Sequence, residues 1–315
     1  NASGILQWSR KVGSSGNEIG YGITTDSIGN SYVAGYFSSD SLTIKNDLVI
    51  KNGIGLSDGL YFKINSLGSI IWHREIAGSG KDICKSIRTG EPGKFYLAGY
   101  FDSDTLPIGG TIRRNSFSGT EDIFLLASDT SGLVLWSKVI GDTANERPTD
   151  LSYDRLGNLY LSGYFTSNSL TVDGFHFINS STSFTSDALF IKFRRNIGLC
   201  AWAQSFGGPL NDESSTVFAT ANGTVYLAGR FYGPQLQIGN TSLANFIPNG
   251  TSDIFLAGFD SLGTPSWSVS AGREADDYCE SSCASNGKVF ITGYFRDTSL
   301  NFGTRALLSN YLPGN

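Results

Sequence analysis

Five carboxylates recur at one repeat position of this chain, Glu18, Asp82, Glu146, Asp212 and Asp276. Oxygen donors placed once per repeat could form a ring around Ca2+, a cation that favours oxygen ligands. The plainer reading is structural. Acidic side chains accept backbone N–H bonds inside their own loops, and a turn needed in every repeat explains fivefold recurrence without a ligand. A second acidic series, Asp58, Asp122, Asp187 and Asp253, invites the same reading. Catalysis would require two carboxylates in unlike surroundings. Asp150 and Glu280 fall at one strand position of the third and fifth repeats, where the others carry Gly22, Ser86 and Thr216. Such a pair could support glycoside hydrolysis, but no further acid or flanking motif accompanies it, and the expectation is a non-enzyme with no cofactor.

The remaining chemistry-bearing residues point the same way. Tyr36/Phe37, Tyr100/Phe101, Tyr164/Phe165 and Tyr294/Phe295 place neighbouring rings on opposite faces of a strand. One ring of each pair could stack on a sugar, although aromatic residues in strands mostly pack the core. Of the four cysteines, Cys279 and Cys283 share a face of one strand at a spacing of ~13 Å, too far for a disulfide. His73 and His176, the two histidines, lie apart from them and form no zinc cluster.

These residues are positioned by a repeat. Asn30-Ser31-Tyr32-Val33-Ala34-Gly35-Tyr36-Phe37 returns around Gly99, Gly163, Gly229 and Gly293, with spacings of 64, 64, 66 and 64. A fixed period of this kind indicates a repeat architecture. Each copy reads as a short strand A, a Gly-containing turn such as Asp26-Ser27-Ile28-Gly29, and strand B, which holds the repeated glycine. A glycine inside a strand marks close approach by a backbone or a large ring. A variable hairpin follows, opening on Leu42-Thr43-Ile44 or its equivalents. Strand C starts at the second acidic series, and strand D carries the repeat's tryptophan, one of Trp8, Trp72, Trp136, Trp202 and Trp267.

Four antiparallel strands per unit, five units and no amphipathic helix predict an all-β, five-bladed β-propeller in one domain, 1–315, because radial stacking buries both faces of each sheet. The units run approximately 14–77, 78–141, 142–207, 208–272, and 273–315 plus 1–13. The N-terminal strand around Trp8 is expected to complete the last blade. That blade lacks strand C, through truncation of a longer array or because it accepts a strand from another molecule.

Charged residues are 16% of the chain, its net charge is −5, and no Lys/Arg run occurs, which argues against nucleic acid as partner. No apolar run approaches the ~20 residues of a membrane helix. Without methionine or a charged-then-apolar leader the chain reads as processed or trimmed. Sequons at Asn1, Asn179, Asn222, Asn240 and Asn249 permit a secreted origin without supporting it.

The elements now assembled resemble the bacterial β-propeller repeat family SBBP: an acidic loop at Glu18, Asp26-Ser27-Ile28-Gly29-Asn30, Tyr32-Val33-Ala34-Gly35, a variable hairpin and Asp253-Ile254-Phe255-Leu256. Arg230 replaces the usual Tyr in the fourth unit, and Gly90-Glu91-Pro92-Gly93 replaces the Asp-Ser turn in the second. The resemblance implies a secreted or cell-surface protein and carries over no catalytic residues. Function then falls to the hairpins, whose candidate contacts are Asn46, Asp47, Arg113, Arg114, Phe175 and His176. The expected role is a protein-interaction or assembly scaffold. A lectin-like module and a structural subunit joined through the incomplete fifth blade are the alternatives.

Overall fold

The repeated turns determine where each strand stops. In the computed structural model, which describes residues 3–44, 57–194, 197–248, 250–302 and 307–308 in full and 47–50 and 305–306 by backbone alone, the turn from C to D closes on one side chain. Asp129 Oδ1 accepts from Ser131 N at 2.8 Å and Leu133 N at 3.0 Å, with Gly132 at φ 88°. Asp260 and Asn65 do the same in their repeats. Short polar side chains that mimic a backbone turn, followed by a residue free to take positive φ, favour such hairpins.

Four sheets share one antiparallel order, A–B–C–D, and no helix occurs among the described residues. Blade 1 comprises Glu18–Thr25, Ser31–Phe37, Asp58–Ile64 and Ile70–Ile76. Blade 2 comprises Asp82–Thr89, Lys94–Phe101, Asp122–Asp129 and Val134–Ile140. Blade 3 is Glu146–Tyr153, Leu159–Phe165, Asp187–Phe193 and Cys200–Phe206. Blade 4 is Asp212–Ala219, Val225–Phe231, Asp253–Phe259 and Pro265–Gly272. A fifth A–B pair, Asp277–Ser285 with Lys288–Phe295, stands as its own two-stranded sheet. This sheet plan is consistent with a β-propeller.

The chain divides into two compact units, 1–143 and 144–315. In the first, the A strands of blades 1 and 2 run beside each other. Tyr32, Tyr61, Cys84, Ile87, Phe95 and Phe124 fill the space between these sheets. In the second, the A strands of blades 3 and 4, and of blade 4 and the fifth pair, are likewise adjacent. Tyr160, Phe190, Val217, Phe231, Phe255 and Phe259 make the corresponding core.

The once-per-repeat tryptophan ties a D strand to the next turn. Trp72 Nε1 donates to Thr130 O at 3.1 Å, and Trp202 Nε1 donates to Ser261 O at 3.2 Å. Lys63 and Lys192 donate to the same two carbonyls. Trp8 makes the equivalent bond, to Ser66 O at 3.0 Å, and Arg10 donates to Gly68 O. The segment around Trp8 therefore docks on blade 1. It forms no strand, which corrects the expectation of an N-terminal strand: side-chain bonds to the turn hold it, and its backbone joins no ladder among the described residues. The hairpin after the fifth pair, Ser299–Phe302 with Arg305–Leu308, pairs instead with strand D of blade 4, through Ala271↔Phe302 and Gly272↔Asn301.

The glycine of strand B is explained by a bulge in its partner. In blade 1 the register runs Gly20↔Gly35 and then Gly22↔Ala34, which places Tyr21 in the bulge. The same bulge recurs in every A strand. It turns a carbonyl onto the glycine: a Cβ on Gly99 would overlap Ile83 O and the Phe124 ring, and one on Gly229 would overlap Glu213 O. Both expected neighbours, backbone and ring, are present.

The A–B turn supplies a direct test. Asp154 is buried and accepts from Asn158 N at 2.8 Å, Asn158 Nδ2 at 2.8 Å and Tyr160 Oη at 3.1 Å. Asp154→Ala should lower unfolding stability by about 1–3 kcal/mol, because it strands buried donors. Asp154→Asn, which keeps an acceptor, should lose less, and denaturant midpoints would rank the two.

Candidate functional site

Within each blade, strand A begins, strand B ends, the hairpin leaves and strand C begins at one rim. The first acidic series closes that rim. Asp82 Oδ2 accepts from Gly78 N at 2.6 Å and its Oδ1 from Ser103 Oγ at 2.9 Å. Glu18 accepts from Ser14 N and Ser39 Oγ, Glu146 from Ser167 Oγ, and Asp212 from Gly208 N. Glu18, Asp82 and Asp212 thereby latch the loop that enters their own A strand, and Glu146 holds the residue two beyond its strand B. Among the described residues no three metal-ligating side chains converge.

The fifth member of this series is Asp277 rather than Asp276. Asp277 pairs with Phe295 as Glu18 pairs with Phe37, and its Oδ2 accepts from Arg273 N. Asp276 instead accepts from Ser252 N and Oγ, the place that Asn211 takes beside Ser186. The cause is a shorter turn. Four residues separate Ala284 from Val289, where five separate Ala219 from Val225. The turn closes on Asn286 and Gly287, both at positive φ, as a two-residue hairpin requires.

That deletion also moves Glu280. The residue in register with Asp150 is Ser281, opposite Thr292 as Asp150 is opposite Ser162. Asp150 Oδ2 accepts from Thr216 Oγ1 at 3.1 Å, while Glu280 is an exposed bulge residue. The two carboxylates therefore do not share a strand level. The same bulge separates the faces of Cys279, which is buried, and Cys283, which is exposed.

The second acidic series meets the first across the seam between consecutive blades. Asp82 N donates to Ser57 O, Asp212 N to Ser186 O and Asp277 N to Ser252 O, which sets Asp58, Asp187 and Asp253 beside them. Oδ1 of Asp187, Asp212, Asp253 and Asp277 are all buried without a hydrogen-bond partner. Burial, reinforced by the neighbouring carboxylate, pushes Asp82 up to about 7, Asp212 to about 8 and Asp277 to about 7. Sequence reasoning placed each series in its own turn and missed this pairing. The available signal was the recurring separation of 24 or 25 residues between them.

A repeated asparagine was also missed. Asn115, Asn179 and Asn245 each donate through Nδ2 to the last B-strand carbonyl and to a second carbonyl ahead of strand C. Their spacing, 64 and 66, matches the glycine spacing. Asn179 is buried with its amide so used, so its sequon is closed to glycosylation in the folded chain.

The hairpin candidates differ among themselves. Arg113 is pinned, its guanidinium donating to Ser137 Oγ at 2.8 Å and Ser137 O at 2.7 Å. Arg114 is exposed, Phe175 half-buried, and His176 exposed with Nδ1 3.0 Å from Thr171 Oγ1. Asn46 lies outside the described residues, as does the side chain of Asp47.

At 22% identity, 93% of the chain aligns with 26% of an uncharacterized WD repeat-containing protein of Acanthamoeba polyphaga mimivirus. At 26% identity, 52% of it aligns with 17% of the regulatory protein FlaEY of Caulobacter vibrioides. The chain thus spans about a quarter or less of the length of these relatives. A point mutant of a Synechocystis apocarotenoid oxygenase superposes at a TM-score of 0.42 and 9% identity, over 96% of this chain and 59% of that one, a likeness too slight to carry an argument. Residues 7–40, which hold Trp8, Glu18, the Asp26 turn and Tyr32-Val33-Ala34-Gly35, match the β-propeller repeat SBBP.

Proposed function

We propose that the chain is a non-catalytic repeat scaffold, a five-bladed propeller whose hairpins present a variable surface to a protein partner. One observation carries the reading. The first strand of each hairpin is constant and buried, as in Leu42 and Ile44, Leu106 and Ile108, Leu170 and Val172, and Leu236 and Ile238. The second differs in every copy, Thr-Ile-Arg-Arg at 111–114, Phe-His-Phe-Ile at 175–178 and Thr-Ser-Leu-Ala at 241–244, and most of its residues face outward, with Ile112 65% and Ile178 73% exposed. Rooting one strand while varying the other is how a rigid fold carries recognition. The WD-repeat relative supports an interaction role. The resemblance to SBBP is the support for proposing an extracellular or cell-surface setting.

The test replaces 111–114, 175–178 and 241–244 with Thr/Ser strands, leaving the buried strands untouched. Affinity enrichment from the source cells should lose the partners that the parent chain retains. An unchanged partner set with an unchanged melting curve would remove the hairpins from the function.

A further inference from the structure

Blade 4 departs from blades 1 and 3 around its tyrosine–tryptophan pair. In those two blades the strand-B tyrosine, Tyr32 or Tyr160, is fully buried and its hydroxyl donates to the aspartate of the A–B turn. A strand-C lysine, Lys63 or Lys192, lies over the tyrosine ring and donates to a turn carbonyl. Blade 4 has Thr220 in the place of Asp26 and Asp154, and Gly258 in the place of the lysines, opposite Trp267. Both charges are gone. Tyr226 is half-buried, and Trp267, 6.0 Å from it and tilted by 42°, is 40% exposed.

Two further departures open a recess beside this indole. In blade 3 the hairpin turn is tied to the head of strand D, because Cys200 N donates to Asp173 Oδ2 at 2.7 Å. In blade 4 Pro265 holds the register of Cys200 and Gly239 that of Asp173, so neither that donor nor that carboxylate is present. Between the hairpin turn and strand D lies a recess of about 410 Å3, bordered by Trp267 with Asn240, Thr241, Thr264 and Ser266. Such a volume falls within the range of small-ligand sites. None of the residues that border it is charged. Asp260, on the adjoining turn, spends its Oδ1 on Leu262 N and Thr264 N.

From these departures we infer that the recess beside Trp267 binds a neutral pyranose, with the indole as the stacking platform. A hexose ring matches the chemistry at hand: its C–H face suits an indole. Its hydroxyls both donate and accept, as the Asn240 amide and the Thr241 and Ser266 hydroxyls require. A charged ligand would meet no counter-charge there. The recess touches the fourth hairpin, but the inference does not rest on a protein partner, and the test uses the chain alone.

Saturation-transfer NMR on the full chain, with methyl α- and β-D-glucopyranoside, galactopyranoside and mannopyranoside each as probe, reads binding. The indole N–H signals in a nitrogen-15 correlation spectrum read its place. The expected result is transfer to the C–H protons of one face of at least one hexoside, with a dissociation constant of ~1 mM. One of the five indole signals should shift, the one that Trp267→Phe removes. Trp267→Ala should lose the transfer. Asn240→Ala, at an exposed turn, should weaken binding roughly 3- to 10-fold, the loss of one hydrogen bond. Both variants should melt within a few degrees of the parent. Methyl β-D-glucuronide should bind no better than the glucoside, and a hexaproline peptide should not compete. The proposal is overturned by an absence of transfer from all the hexosides, by equal transfer in Trp267→Ala, or by a shift at another indole instead. A marked preference for the glucuronide, or displacement by the hexaproline peptide, would overturn it as well, making the recess an anion site or a polyproline dock.

Discussion

Asp212→Asn is expected to be more stable than the parent chain at pH 8 and to show little gain at pH 5. In the folded chain the Asp212 carboxyl is fully buried, with Asp187, Glu213 and the Gly208 N–H facing it, and burial holds its pKa at about 8 against 3.8 for the free group. A group whose folded pKa lies above its unfolded value contributes stability below the unfolded pKa and loses it as the pH climbs to the folded one. Each retained proton then costs about 1.4 kcal/mol per pH unit across that window. Asp82 and Asp277, both held near 7, add to the same slope. The amide keeps the acceptor that Gly208 N uses and has no proton to release, so the variant should gain about 2–4 kcal/mol at pH 8. At low pH the opposite series takes over: Asp129, held down first by the Ser131 hydroxyl, and Asp260, held down first by the Thr264 N–H, lose their contributions as they protonate. Thermal melts from pH 4 to 9 should show the parent falling from about pH 4 to about pH 8 and the variant staying flatter. Parallel curves would mean that the seam carboxylates are already ionised.

Gly229→Ala should be the more severe change, costing more than about 3 kcal/mol and in practice much of the soluble yield. Its Cβ would overlap Glu213 O and press on the Phe255 ring, and neither can retreat: the carbonyl belongs to the bulge that starts strand A, and Phe255 is fully buried. Gly99→Ala meets the Ile83 carbonyl and Phe124 in the same way. Gly93 supplies the control. It sits at φ 86° with open space around its Cβ position, so Gly93→Ala adds only backbone strain, about 1 kcal/mol. Urea denaturation of the three variants separates steric overlap from conformational preference. Equal losses at Gly229 and Gly93 would discard the overlap argument.

Much of the blade was legible in the residues themselves. Alternation, the Asp/Asn-plus-Gly turns and the repeated strand-B glycine placed A, B, C and D in their observed order, since each signal acts within a few residues of where it stands. The two carboxylate series were legible as loop latches for the same reason. What failed was register across the fifth A–B turn. Counting back from Gly293 selects Asp276 and Glu280, but one residue is absent from the turn between them and that glycine, and only the ladder reveals that Asp277 and Ser281 hold the equivalent places.

The sequence by itself determined the repeat, the strand order inside a blade and the chemistry stored at each repeat position, because turn preference, pleat and glycine freedom are local properties. Tertiary structure alone decided which of those positions meet. It set Asp187 against Asp212 across a seam, docked Trp8 on the turn of blade 1, and left Trp267 beside a recess at the fourth hairpin turn. The physical reason is that a seam joins residues more than twenty positions apart, on different sheets, whose encounter depends on how blades stack rather than on any preference that a single strand expresses.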